Sequence, residues 1–186
     1  FTVDVNGEPL AVDVSGFVQG NSAETTAIAR HVARFAGRGD GELAVELFAG
    51  SGTWTLGLLQ AGYRVEAYEL DGKARGAFEQ NTGHGVARLH VTDLLETGVP
   101  EPVPERAQLV LLDPPRIGAA ALGTWLRTAA APKVLMISCD VATGLRDAAE
   151  LCESDAGYSI EGITSYDMFP HTGHQELVIE LVRRAT

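Results

Sequence analysis

The sequence has little cysteine, little lysine and no long hydrophobic run, and each shortage narrows the class of protein. Its 186 residues include 2 Cys, too few for a disulfide-stapled scaffold, so we expect a reducing, cytoplasmic location. No apolar run approaches the ~20 residues of a membrane-spanning helix, so we expect no membrane partner. The only lysines are Lys73 and Lys133, and 14 basic against 25 acidic residues give a net charge of −11. Composition alone therefore argues against a nucleic-acid partner, which usually meets a basic face.

The remaining composition is typical of one folded domain with a small appendage. Hydrophobic residues make up 45% of the chain, which excludes a disordered protein. Residues 1–14 alternate around Asn6-Gly7 and predict a hairpin, either the end of a preceding domain or an edge laid against the main one. Helical spacing predicts a helix over 23–36 with Ser22 as its cap. We therefore divide the chain into a hairpin and junction at 1–21 and a main domain at 22–186.

After Gly41 the hydrophobic pattern alternates between strands and helices. Such alternation predicts a mostly parallel sheet covered by helices on both faces, and the last two strands, which have no helix between them, are most simply antiparallel. The predicted strands are 43–48, 64–70, 86–91, 109–113, 133–138, 158–164 and 177–182, and the predicted helices are 53–61, 71–81, 119–130 and 142–152.

Ligands of such sheets bind beyond the carboxyl ends of the strands, where unusual residues cluster in this chain. Gly50 and Gly52 follow the first strand; the segment is either a tight turn or a loop whose backbone approaches a ligand. A dinucleotide fingerprint would have Gly at position 55, which is Thr, so the segment argues against NAD. Glu69 ends the second strand and could accept ribose hydroxyls, and Asp93 after the third could meet an adenine amino group.

Two further strand ends carry candidates for chemistry. Asp113 is followed by two prolines and Arg116, so its backbone is fixed beyond the fourth strand. Cys139 follows the fifth strand and precedes a helix, a position that predicts added thiolate character and a nucleophile. We interpret Cys152, within its helix, as a small buried hydrophobic residue.

These motifs together resemble the RNA uracil-5-methyltransferases, which use S-adenosylmethionine to make 5-methyluridine in tRNA or ribosomal RNA. The resemblance covers about residues 15–182 and rests on four segments: Phe17–Asn21, Asp113–Gly118, Val134–Cys139 with Thr143 and Arg146-Asp147, and Asp167–Glu176. It implies a class I Rossmann-like methyltransferase, an α/β fold with a mostly parallel seven-stranded sheet, an antiparallel C-terminal strand and helices on both faces.

The resemblance also implies roles for single residues. Cys139 matches the nucleophile that adds to carbon 6 of uracil, and Glu176 the base that then removes the carbon 5 proton. Positions associated with the cofactor or the target base are Gln19, Phe48, Thr53, Glu69 and Asp113, besides the glycine loop and Asp93. It further implies that this chain is the catalytic part of a longer protein, whose other segments contact the RNA; we favour a monomer.

Three departures and three alternatives accompany this prediction. Asp140, Met136 and Ala49 stand where the family usually has Asn, often Tyr and commonly Cys, respectively.

One alternative function is an inactive module that binds cofactor or RNA, and another is an NAD-dependent oxidoreductase. The third alternative is a metal site formed by His171, His174 and Glu176, which we do not favour. Cytosine-specific relatives carry a second Cys near Asp113, which is lacking here, so uracil is favoured.

Overall fold

The computed structural model describes residues 2–5, 7–12, 20–83, 85–100, 107–153, 157–168, 171–172 and 174–184. Strands β1 (Thr2–Val5) and β2 (Glu8–Ala11) pair antiparallel, as predicted for the hairpin. Its apolar side chains enter the core, and Asn81 exchanges two hydrogen bonds with the backbone of Ala11, at 2.6 and 2.8 Å. The hairpin is thus laid against the main domain.

The other strands form one seven-stranded sheet, in the order β5-β4-β3-β6-β7-β9-β8. The first five in this order are parallel, and β9 is antiparallel to both of its neighbours. This confirms the predicted sheet and its antiparallel C-terminal strand. Their bounds are β3 (Leu43–Leu47), β4 (Arg64–Glu69), β5 (Ala87–Val91), β6 (Leu109–Leu112), β7 (Lys133–Ser138), β8 (Tyr158–Tyr166) and β9 (Glu176–Arg183).

The helices differ from prediction mainly at their ends. Asn21, not Ser22, caps the first helix, because its side chain accepts from the N–H groups of Ala23 and Glu24. A four-residue helix after β5, capped by Asp93, was not predicted. The predicted helix at 119–130 is a 3₁₀ turn, Ala120–Leu122, followed by an α-helix. The helices are α1 (Ser22–Ala36), α2 (Thr55–Gln60), α3 (Ala74–Thr82), α4 (Leu94–Thr97), α5 (Gly123–Ala129) and α6 (Val141–Glu153).

Alternation along the strands divides the core into two layers. Ala44, Leu111 and Leu135 face the layer that holds α1, α2 and the hairpin, whereas Val45 and Leu112 face the layer with α5 and α6. Strand order reverses between β3 and β6, which is the position where open α/β sheets bind ligands. In the described part of the chain, no helix has the length and hydrophobicity needed to cross a membrane.

Candidate active site

The sheet brings the candidate residues to one face and one edge. Leu111 on β6 and Ile137 on β7 face the layer that holds α1 and α2. Asp113 and Cys139 each lie two residues further along the chain, so they continue on the same face of the sheet. The pairing of Ser138 with Leu177 makes the next residues, Cys139 and Glu176, cross-strand neighbours. The predicted nucleophile and the predicted base therefore lie beside each other.

Asp113 is fixed by an indole and by the backbone. Trp54, buried in the turn after β3, donates its Nε1–H to Asp113 Oδ2 at 2.8 Å. The Asp113 N–H bonds to the carbonyl of Leu47 at 3.2 Å, which extends the β3–β6 pairing. Burial, and secondarily the charge of Glu69, raises the pKa of Asp113 to about 6 despite the indole. This carboxyl can therefore be charged or neutral near neutral pH.

Cys139 does not gain the thiolate character that its place before a helix predicted. Its pKa is raised, first by burial and then by the charges of Glu176 and Asp113, and Arg116 only partly offsets them. Glu176 is 4% exposed, and burial together with Asp113 raises its pKa to about 8. In the free protein the Cys139 thiol is therefore mostly protonated at neutral pH, and its ionisation depends on the charges around it.

The turn after Cys139 is well formed despite its Asp. Asp140 Oδ1 accepts from the N–H of Thr143 at 2.8 Å, as an N-cap does, and this bond lowers the pKa of Asp140. Gly144 allows α6 to approach β7, because a Cβ there would lie 2.8 Å from Ser138. Asp140 therefore fills the capping role that Asn could fill.

The glycine loop after β3 combines a strained backbone at Phe48 with open space beside Gly50. Phe48, immediately after β3, has φ +65, a strained value for a bulky residue and one often found at functional sites. The Gly50 N–H donates to Glu69 Oε2 at 2.8 Å, while Asp71 N–H donates to Oε1 at 2.9 Å. Gly50 has open space where a Cβ would stand, whereas at Gly52 a Cβ would meet the Phe78 ring at 3.1 Å.

Glu46, which the charges of Asp113 and Glu69 affect, is a further candidate residue that the sequence did not single out. It is fully buried on β3, its Oε2 accepts from the Thr55 hydroxyl at 2.5 Å, and Oε1 has no hydrogen-bond partner. Burial raises its pKa to about 8, with Asp113 and Glu69 adding to the rise. The sequence could have indicated Glu46, because it is the one acid in an otherwise apolar strand. Acidic side chains are buried in such strands only where they have a partner or a function.

The turn that follows Asp113 is held by the helix that follows Cys139. The Gly118 N–H bonds to the Pro115 carbonyl at 2.7 Å, and buried Asp147 accepts from the Ala119 N–H at 2.7 Å. Arg146 donates to Asp147 at 2.6 Å and to the Ile117 carbonyl at 3.1 Å. The Arg146-Asp147 match in the sequence thus corresponds to a structural brace.

Among the described contacts, none joins Thr53 or Asp93 to Cys139, Glu176 or Asp113. Gln19 lies outside the described residues. Thr53 lines a cleft of about 140 Å³ between the hairpin, α1 and α2, on whose wall Ala29 and Gln60 also lie. Asp93 Oδ1 accepts the N–H groups of Leu95 and Glu96, so its carboxylate caps α4.

The described part of the chain holds no group of three or more His, Cys, Asp or Glu arranged for a metal ion. His171 and His174, which suggested the metal reading, are both exposed.

Three comparisons bear on what the fold and the site define. The 23S rRNA (uracil(1939)-C(5))-methyltransferase RlmD of Haemophilus influenzae is 34% identical over 178 residues, 93% of this chain and 40% of that protein. The tRNA (uracil-54, C5)-methyltransferase of Pyrococcus abyssi, solved with S-adenosyl-L-homocysteine, superposes with TM-score 0.82 and 26% identity, over 98% of this chain and 44% of that one. The ribosomal protein L11 methylase of Lactobacillus delbrueckii subsp. bulgaricus, at TM-score 0.66, 18% identity and coverage of 95% and 86%, shares the fold alone. No family model matches the chain.

The sheet order and these neighbours define a class I methyltransferase fold. By sequence the chain is a homologue of the RNA uracil-C5-methyltransferases, which confirms the resemblance drawn from its motifs. It spans about 40% of the length of the curated relative compared above.

Proposed function

We propose that this chain carries the catalytic site for S-adenosylmethionine-dependent methylation of carbon 5 of a uridine in RNA. The observation that carries the proposal is the cross-strand placement of Cys139 beside Glu176, with Asp113 on the same face. A thiol and a buried acid side by side provide the nucleophile and the base that the reaction needs. The homologues named above catalyse this class of reaction by name.

The described residues fit the cofactor. Gly50 leaves room for a ligand next to the backbone, Glu69 ends the neighbouring strand, and Glu46 Oε1 is a buried acceptor without a partner. We infer that Glu69 holds the ribose hydroxyls and that Glu46 lies toward the cationic methionine portion, since a buried carboxyl with one oxygen unpaired favours a positive charge nearby. S-adenosylmethionine, when bound, supplies an electrophilic methyl group on its sulfonium. Phe48, Gly52, Thr53, Asp93 and Gln19 remain proposed contacts.

The chain's own residues then perform the addition and the elimination. Carbon 5 of uracil is too weak a nucleophile by itself. The Cys139 thiolate forms a bond to carbon 6, and the pair of electrons of the C5=C6 bond moves toward the C4 carbonyl as an enolate. Carbon 5 would then take the methyl group from the sulfonium, whose S–CH3 bond would break and leave a neutral thioether. Glu176 takes the carbon 5 proton, the C5=C6 bond re-forms, and the C6–S bond breaks to return the thiolate.

The acidic composition of the chain is consistent with catalysis in this part of the full-length protein and phosphate binding in other parts. A net charge of −11 and two lysines suit a catalytic domain better than a surface that binds many phosphates. We propose that residues 22–186 form the methyltransferase domain, preceded by the hairpin and junction at 1–21, and that phosphate contacts come largely from other parts of the full-length protein. The RNA is a tRNA or a ribosomal RNA.

The two cysteines provide a matched test. We expect Cys139→Ala to abolish 5-methyluridine formation in unmodified tRNA and ribosomal RNA transcripts, measured by nucleoside mass spectrometry. Cys152→Ala, which alters the other half-buried thiol, should leave it unchanged. Undiminished methylation by Cys139→Ala would overturn the mechanism.

A second candidate, motivated by Asp140 after Cys139 and by the net charge of −11, is a module that binds S-adenosylmethionine or RNA without catalysis. Calorimetry that detects cofactor binding by the full-length protein, together with no methyl transfer to either class of transcript, would select that function.

A further inference from the structure

The turn Pro115–Gly118 presents two exposed side chains that the proposed chemistry does not use. Ile117 is 71% exposed, the highest value among the large hydrophobic residues of the described chain, and Arg116 beside it is also exposed. Single exposed hydrophobic side chains are common on protein surfaces. Exposure alone therefore does not indicate a binding role for Ile117, and the rigidity and the position of its turn have to be considered as well.

Ile117 is held on both flanks. The 2.7 Å bond from Gly118 N–H to the Pro115 carbonyl closes the turn, and Arg146 binds the Ile117 carbonyl itself at 3.1 Å. Asp147, 5% exposed, accepts from the next residue but one, Ala119, and from Arg146. A buried, doubly paired carboxylate is a rigid anchor, so the isoleucine is displayed on a fixed backbone rather than on a loose loop.

The turn also lies at the mouth of the candidate site. It begins two residues after Asp113, and the charge of Arg116 acts on both Cys139 and Asp140. A Cβ at Gly118 would come within 2.4 Å of Thr143, so the turn is packed directly against α6, whose start follows the nucleophile. The cation of Arg116 is therefore close enough to act on the thiol, and Ile117 is the next residue along the same exposed turn.

We propose that Ile117 is an RNA contact that packs against the bases flanking the target uridine once that uridine has left its stack. This inference rests on the proposed function, because a stacked or paired uridine cannot bring carbon 6 to a half-buried thiol. Leaving the stack exposes apolar base faces, and proteins that unstack bases commonly insert an aliphatic side chain there. Arg116 lies next to the tip and pairs with the neighbouring phosphate. A braced turn provides this contact without an ordering cost at binding.

The test compares structured with unstructured RNA. The probes are a hairpin from a transcript that the wild-type full-length protein methylates, with 2-aminopurine beside the target uridine, and a short unstructured oligonucleotide with the same flanking bases. We expect Ile117→Ala to lower kcat/KM on the hairpin about tenfold or more and to reduce the 2-aminopurine fluorescence rise, since unstacking costs a few kcal/mol. On the unstructured oligonucleotide, kcat/KM should be nearly unchanged.

Two variants complete the experiment. Ile117→Leu keeps an aliphatic tip and should retain most of the hairpin activity. Ile163→Ala removes another exposed isoleucine, 48% exposed on β8, and should behave as wild type. Full hairpin activity in Ile117→Ala, or an equal loss on both RNAs, would overturn the inference. Failure of the wild-type full-length protein to methylate any tRNA or ribosomal RNA transcript, from which the hairpin would be chosen, would instead overturn the proposed function.

Discussion

Glu176 is the residue whose removal separates addition from elimination. Glu176→Gln keeps the shape of the side chain but cannot accept the carbon 5 proton, so we expect turnover to fall by about 10²- to 10⁴-fold. Methylated uracil should then remain bonded to Cys139. A protein–RNA adduct that survives denaturing electrophoresis checks this expectation.

The double variant Glu176→Gln/Cys139→Ala is the control, since it should form no adduct. An adduct that persists without Cys139, or a Glu176→Gln protein that turns over normally, would assign the base or the bond to other atoms.

The charges around Cys139 predict opposite shifts in its ionisation. Glu176 raises the pKa of this thiol and Arg116 lowers it. Glu176→Gln should therefore move the pH midpoint of Cys139 alkylation down, and Arg116→Gln should move it up. Iodoacetamide rates measured against pH in a Cys152→Ala background, where one thiol remains, check both. Shifts of the same sign would contradict the arrangement of charges.

At the scale of elements, Gly50 and Gly52 form a matched pair within one loop. Gly50 (φ +53) has open space around it, so Gly50→Ala should cost only about 1–2 kcal/mol of stability while obstructing the cofactor. Gly52 (φ +86) lies against Phe78, so Gly52→Ala should destabilise the fold more. Denaturation midpoints and calorimetric titration with S-adenosylhomocysteine measure the two effects. A Gly50→Ala protein with wild-type affinity would contradict a ligand at this loop.

Strand and helix positions could be predicted from the sequence because burial imposes strong periodicity. The segment 133–138 matches β7 at both ends, and the antiparallel end of the sheet followed from the lack of a helix between the last two strands. The helix ends and α4 could not be predicted, because they depend on which side chain accepts the first free N–H groups of a helix. In α1 that side chain is Asn21 rather than Ser22.

Long-range partners were beyond sequence reasoning. His31, 2% exposed, bonds to the Tyr166 hydroxyl at 2.7 Å and to Glu180 at 2.6 Å, and so ties α1 to β8 and β9. Nothing local in the sequence indicates these pairs, whose members lie 135 and 149 residues apart. Cys139 and Glu176 were found through the motifs they share with a family, whereas the raised pKa of that thiol emerged only from the assembled charges.

At the scale of the whole molecule, the buried acids predict that stability depends on pH. The pKa of Glu46 rises from 4.5 to about 8 on folding, so the native state holds the proton more tightly than the unfolded state. Stability should therefore fall as pH rises from about 4.5 toward 8, by on the order of a few kcal/mol. Glu46→Gln should flatten this slope, while exposed Glu153→Gln should not. Urea denaturation at pH 5 and pH 8 measures the difference, and equal slopes in all three proteins would contradict it.

Strand β9 determines when the site can exist during folding. It is the last strand in chain order, yet it is inserted between β7 and β8 and hydrogen-bonded to both. Cys139 therefore acquires Glu176 as its neighbour only after β9 has paired with β7, and contacts between residues far apart in the sequence form slowly. A partly folded chain, with β7 complete and β9 still outside the sheet, holds the thiol without its base. Recovery of activity on refolding should therefore not precede the formation of the β7–β9 pairing.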